Sequence, residues 1–421
     1  MTAPTLISRP ALKPNRQMIL VVMVFAILLL DGVDVQLLAM VAPVVVKEWA
    51  VSKAAFAIPM SAALVGMAAG SSFGGKLGDR FGHRIILVGA ALLFGVATIS
   101  TSLSLDVVQL AILRVIGGLG FGAATPNGVA LVSEWLKRGS RHDAVALLSI
   151  GPPSGALVGT FGVMALLPLV GWRGCFVVAG IVTLILTGIF WQTSRYADDR
   201  KVPETLPILS PEPAPERLLT RSLARTNIGI WLSFFSLSIA LFATTIWSPV
   251  FLSAAGLPLE LALQGIFWFS LMSITTSLFT GRAIIRFGSL SVLLVQLAGA
   301  TAVSVANALI LVSGTAPDAP WLVFLCMAGL GACVGSGMAS LYILASASYP
   351  ARLRGTGVGV AIAASRVGAI FSVLLTGTLL DLRPDGAAMH VMIVLALLTA
   401  IAGVLTFDRH LAKGARRPGT P

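Results

Sequence analysis

Charge is what this sequence has least of: only 11% of its 421 residues are Asp, Glu, Lys or Arg, against about a quarter in an ordinary globular domain. A water-soluble surface is thereby excluded. Histidine is as sparse: His83, His142, His390 and His410 fall near predicted loops or helix ends and form no metal or acid–base cluster. No enzymatic activity, metal or cofactor is expected. No segment reads G-x-x-x-x-G-K-[ST], which excludes the phosphate-cradling loop of an ATP-driven pump. Cys175, Cys326 and Cys333 stand in apolar segments without metal-ligand spacing and read as small packing residues.

Apolar residues are abundant, at 57% of the chain with a mean hydropathy of +0.94. They fall in runs of roughly 20–30, and a helix rising about 1.5 Å per residue crosses a hydrocarbon core of about 30 Å in that length. Twelve spans are predicted, at about 17–46, 54–75, 85–103, 107–133, 144–169, 173–191, 227–252, 262–281, 289–313, 320–348, 355–380 and 388–407. Arg9, Lys13 and Arg16 precede the first run as in a signal peptide, but that run contains Asp31 and Asp34 and is read as a retained span. The expected fold class is an all-α integral membrane protein in the lipid bilayer.

The net charge of +12 would suit nucleic acid if it were clustered. Instead the basic residues stand between apolar runs, so no nucleic-acid partner is expected. One set of loops holds only Lys47, Lys53, Arg173 and Arg383, with Arg114 and Arg366 inside spans; every other Lys and Arg falls on the opposite side. Basic residues accumulate in cytoplasmic loops, so both termini are expected in the cytoplasm of a cell whose inner membrane holds the chain. Pro203, Pro207, Pro211, Pro213 and Pro215 mark 192–226 as a linker between six-span halves at 1–191 and 227–421.

The halves repeat each other. After span two the chain reads Gly75-Lys76-Leu77-Gly78-Asp79-Arg80-Phe81-Gly82-His83-Arg84, and after span eight Gly281-Arg282-Ala283-Ile284-Ile285-Arg286-Phe287-Gly288. The first copy resembles the major facilitator signature G-x-x-x-D-R-x-G-R-[RK], carried by Gly75, Asp79, Arg80, Gly82 and Arg84, with His83 in place of a basic residue. Asp79 is suited to accept hydrogen bonds from Arg or from helix N-termini in one conformation and lose them in another. Ile285 replaces the acid in the second copy. Span four matches R-x-x-x-G-x-G-x-G through Arg114, Gly118, Gly120 and Gly122. The resemblance implies two pseudo-symmetric six-helix bundles, the major facilitator fold.

Within that superfamily, Asp31-Gly32-Val33-Asp34 resembles the aromatic acid:proton symporter family. This implies uptake of an aromatic carboxylate or ring-degradation intermediate with protons, and it points to Arg114, Glu134, Arg354 and Arg366 as further functional residues. Arg114 and Arg366 are charges at membrane depth, where they are costly and normally answer to a counter-charge, water or a ligand. Arg366, near the midplane, is expected to anchor the substrate anion through its two-pronged guanidinium, with Arg114 and Trp268 as further contacts. Asp31 and Asp34 are expected to carry the proton, regulated by Arg114, with Glu134 on the inner side. Asn127, Trp247, Gln264, Asn307 and Tyr342 are polar or aromatic candidates for the cavity wall. A monomer is expected. Gly151-Pro152-Pro153-Ser154-Gly155 is similar to a drug:proton antiporter signature and keeps export of a hydrophobic drug open, as exchange of organic anions is also open.

Overall fold

Long apolar runs without water have one way to satisfy their backbone, which is to hydrogen-bond within a helix. The computed structural model describes residues 14–135, 148, 151–195, 218, 220–349 and 353–411, and among them there is no strand. Eleven described helices are long and apolar enough to cross a membrane. These are α1 (Pro14–Trp49), α2 (Lys53–Phe81), α3 (His83–Thr101), α4 (Val107–Trp135), α5 (Gly151–Ser194) and α6 (Ala224–Ala254). They continue with α7 (Leu259–Phe287), α8 (Ser289–Val312), α9 (Pro320–Ser348), α10 (Arg354–Leu382) and α11 (Ala387–Thr406).

The difference from twelve predicted spans lies in α5. Its 44 residues extend about 66 Å if straight, twice the hydrocarbon thickness. Gly171, at φ 66° and ψ 178°, breaks it, in a backbone conformation that side chains disfavour. Two passes therefore meet at a single residue, where a loop was predicted between 169 and 173. The predicted start of span five, 144–147, lies outside the described residues, as does most of the linker.

Helices α1–α5 pack chiefly among themselves, as do α6–α11. The glycines of α4 explain part of this. A Cβ on Gly122 would come 2.1 Å from the Met67 carbonyl oxygen of α2, and one on Gly120 would come 2.6 Å from the Ala90 carbonyl of α3. Backbones thus touch on two sides of α4, which packs three helices tightly without any hydrophobic driving force between them. In α9, five residues from Gly331–Gly335 form a π turn.

The two groups meet at one end. The Asp381 carboxylate, at the end of α10, accepts from the backbone N–H groups of Lys53 (2.9 Å) and Ala54 (2.8 Å) at the start of α2, and Lys53 Nζ donates to the Leu380 carbonyl (3.1 Å). An anion at a helix N-terminus and a cation at a helix C-terminus are both favoured by the peptide dipoles. Phe161 of α5 and Phe267 of α7 close the same seam, 5.1 Å between ring centroids. At the other end of α2, Lys76, Leu77, Asp79, Arg80 and Phe81 are exposed.

Asp381→Ala is expected to loosen the closed end. With the native cysteines replaced and Ala57→Cys introduced beneath it, labelling by a water-soluble thiol reagent should accelerate about 5- to 30-fold, the factor for ~1–2 kcal/mol of lost capping. Unchanged labelling would show that the clamp contributes nothing to closure.

Candidate functional site

Asp34 of α1 meets Arg114 of α4 as their charges require. Arg114 Nη1 donates to Asp34 Oδ2 at 2.8 Å, and both side chains are buried, at 2% and 9% exposure respectively. Neither charge is tolerable there alone. Helix α3 supplies the rest of the network in its last turn: Thr98 Oγ1 donates to Asp34 Oδ1 at 3.0 Å, and Arg114 Nη2 donates to Thr101 Oγ1 at 2.6 Å. The ring of Phe176, from the second arm of α5, lies 5.2 Å from the guanidinium carbon and adds cation–π attraction. Beside the pair is a cavity of about 10 Å³, walled by Leu38, Met60, Leu64 and Ile246 among others. That volume suffices for about one water molecule. The network lies toward the closed end, since α3 ends at Thr101 and α4 begins at Val107.

Sequence reasoning anticipated the Asp34–Arg114 pair but not Thr98, Thr101 or Phe176. The spacing Thr98-x-x-Thr101, which puts two hydroxyls on one helix face, was the available signal. Arg114 was also expected to touch substrate. Here its two Nη atoms are committed to Asp34 and Thr101. The side chains of Asp31, Glu134 and Arg354 lie outside the description.

Arg366 is placed differently. It is half-buried, about 12 residues or roughly 18 Å into α10, and among the described residues it has no ion pair or hydrogen bond. The hydroxyl of Tyr342, from α9, is within electrostatic range of it. Tyr342 is 40% exposed and its ring meets Phe234 edge-on at 5.1 Å. The adjoining Ser365 is bonded to Ser238 at 2.6 Å, which fixes α10 against α6. A guanidinium with no partner among the described residues and a phenol on this framework offer an anion two kinds of donor.

The other wall candidates divide. Trp268, 38% exposed, has its ring contact with Phe267 at 5.2 Å, in the seam between α5 and α7. Trp247 is fully buried and donates Nε1–H to the Val373 carbonyl at 3.1 Å; Asn307 is fully buried against His390 at 2.9 Å. Trp247 is thereby paired in the packed interior, whereas Asn307 keeps its Oδ1 without a hydrogen-bond partner among the described residues. Asn127 of α4 packs against the signature loop, donating to the Gly74 and Ala123 carbonyls and meeting His83 Nδ1 at 2.8 Å.

That loop and its repeat share their geometry. Gly82 (φ 94°) and Gly288 (φ 84°) each donate to the carbonyl four residues back, at 2.7 and 2.8 Å. Arg80 stacks on Phe81 at 5.2 Å and Arg286 on Phe287 at 5.3 Å. Asp79 is 77% exposed at the side chain, with His83 Nε2 3.6 Å away. The carboxylate latch expected from sequence is therefore not engaged by an arginine among the described residues in this conformation. Gly75 has nothing within 4 Å of its missing Cβ, and Arg84 is tied to α5, donating to Ser194 Oγ (2.8 Å) and the Trp191 carbonyl (3.0 Å).

The profile of the Major Facilitator Superfamily matches residues 24–371. The chain belongs to that superfamily. It is a multi-pass membrane transporter, not an enzyme. Similar proteins include a 4-hydroxybenzoate transporter, PcaK, of Pseudomonas aeruginosa, 29% identical over 92% of this chain and 91% of that one. A gallate transporter of Pseudomonas putida is 28% identical over 96% and 94%, and a 3-(3-hydroxy-phenyl)propionate transporter of Escherichia coli 29% over 89% of each. The superfamily fold is also seen in a bacterial homolog of the human lysosomal transporter Spinster, with TM-score 0.74, 16% identity and coverage of 94% of this chain and 97% of that one. The xylose transporter XylE of E. coli gives TM-score 0.71 at 18% identity, over 94% and 97%.

Proposed function

We propose that this transporter imports a small organic anion, an aromatic carboxylate or aromatic-degradation intermediate, together with protons across the bacterial inner membrane. It works as a monomer by alternating access, with its termini and the 192–226 linker in the cytoplasm and halves at 1–191 and 227–421 rocking about the site. The observation that carries this reading is Arg366: a guanidinium part-way along a span with no counter-charge among the described residues is a costly thing to keep unless a travelling anion supplies the partner. The aromatic substrates named for the relatives give that anion its class.

In this reading Arg366 holds the carboxylate, Tyr342 and Trp268 are wall residues, and Asp34 with Asp31 carries the proton under the control of Arg114. Glu134 takes part at the inner end. The clamp at Asp381 closes the outer face, and Asp79 awaits its partner until the inner face closes.

Uptake of a labelled panel of hydroxylated benzoates and phenylpropionates, with and without a proton uncoupler, tests this. Saturable accumulation of one or more of them that collapses with the uncoupler is the expected result. Uptake indifferent to the uncoupler but driven by a second anion on the far side would establish exchange instead. Loading of inside-out vesicles acidified internally would establish export.

A further inference from the structure

Several buried threonines in these spans share a habit, although Thr226, Thr244 and Thr376 do not follow it. The hydroxyl donates to the carbonyl four residues back, as Thr101 does to Ala97, Thr160 to Ala156 and Thr187 to Thr183, satisfying itself inside its own helix. Thr98 breaks the habit. Fully buried, it donates across to Oδ1 of Asp34 at 3.0 Å, while Oδ2 faces Arg114 Nη1 at 2.8 Å. The two partners differ in kind, because a guanidinium only donates whereas a hydroxyl donates and accepts. A proton placed on Oδ2 would confront an N–H with nothing to receive it. One placed on Oδ1 meets a hydroxyl oxygen whose lone pairs can accept it.

We propose that Oδ1 of Asp34 is the atom that takes up the transported proton, and that Thr98 is the positioning residue whose hydroxyl serves both protonation states without moving either helix. The inference rests on the reading of Asp34 as proton carrier. A hydronium ion delivers the proton, an O–H bond forms at Oδ1, and water departs. Among the described residues Arg114 of α4 is the charged group in contact with Asp34; α2 and α6 present Met60 and Ile246, α3 presents its threonines, and Asp31 stands one turn earlier on α1. Once Asp34 is neutral, its bond to Arg114 loses the charge-assisted part, so proton uptake at Oδ1 is coupled to the grip between α1 and α4.

Thr98→Val keeps the shape and removes the hydroxyl; Thr98→Ser keeps the hydroxyl. In proteoliposomes T98V should lower the maximal rate of proton-driven uptake about tenfold with KM within about twofold of wild type. Its pH profile should move roughly one unit toward alkaline, because the ionised carboxylate loses a stronger bond than the neutral acid does. Infrared difference spectra should show the carbonyl band of the protonated acid, identified by its loss in D34N, displaced in T98V. T98S should match wild type in all three. A wild-type profile and band in T98V would overturn the assignment, as would a T98S transporter as impaired as T98V. If T98V does not reach the membrane, Thr98→Cys takes its place with the same expected displacement. Undiminished accumulation by D34N would instead overturn the proton-carrier reading itself.

Discussion

Asp34→Asn is expected to abolish uphill accumulation, bringing the internal substrate concentration down to the external one, while counterflow of labelled against unlabelled substrate continues. The amide keeps the shape and an oxygen for Arg114 but has no site that titrates. It also removes the negative charge that balances a guanidinium only 2% exposed, and breaking a buried pair by losing one partner costs about 3–5 kcal/mol. Membrane levels must therefore be measured alongside transport. Normal levels with uncoupler-sensitive accumulation would remove Asp34 from the mechanism.

Arg366→Ala is the second large effect. A two-pronged hydrogen bond to a carboxylate in a poorly screened site exceeds an ordinary one, and hydrogen bonds to charged groups are worth about 1.5–3 kcal/mol each. KM for the carboxylate is expected to rise ~30-fold or more. Arg366→Lys, which keeps charge but loses the planar fork, should fall between wild type and alanine. In contrast to Arg114, Arg366 has no partner among the described residues for its removal to orphan, so the alanine variant should reach the membrane at wild-type level. A KM unchanged in a well-expressed R366A would place the anion elsewhere.

The helices and their order were legible because lipid imposes one rule on every span, that apolar length must match hydrocarbon thickness. The loop signature with Gly82 and its echo at Gly288 was legible too, since a tight turn with φ near 90° nearly demands glycine. The break between 169 and 173 was legible as well, and Gly171 falls inside it; that a single residue makes the whole turn was not, because its length depends on how the two passes pack. The full burial of Trp247 and Asn307, both named as wall candidates, was not legible either. A polar atom in an apolar run signals a need for a partner, and the partners, Val373 and His390, come from helices distant in sequence.

Asp34 and Arg114 show where the division falls. By itself the sequence determined that two opposite charges lie at membrane depth and need one another, because the cost of an isolated charge in hydrocarbon allows little else. Only the tertiary structure decided that Thr98 occupies one carboxylate oxygen, that Thr101 and Phe176 hold the guanidinium, and that Arg366 is left without a protein partner among the described residues. Directional contacts of 3 Å depend on how helices rotate and cross, and that is set by packing summed over whole helix faces, which no local run of residues contains.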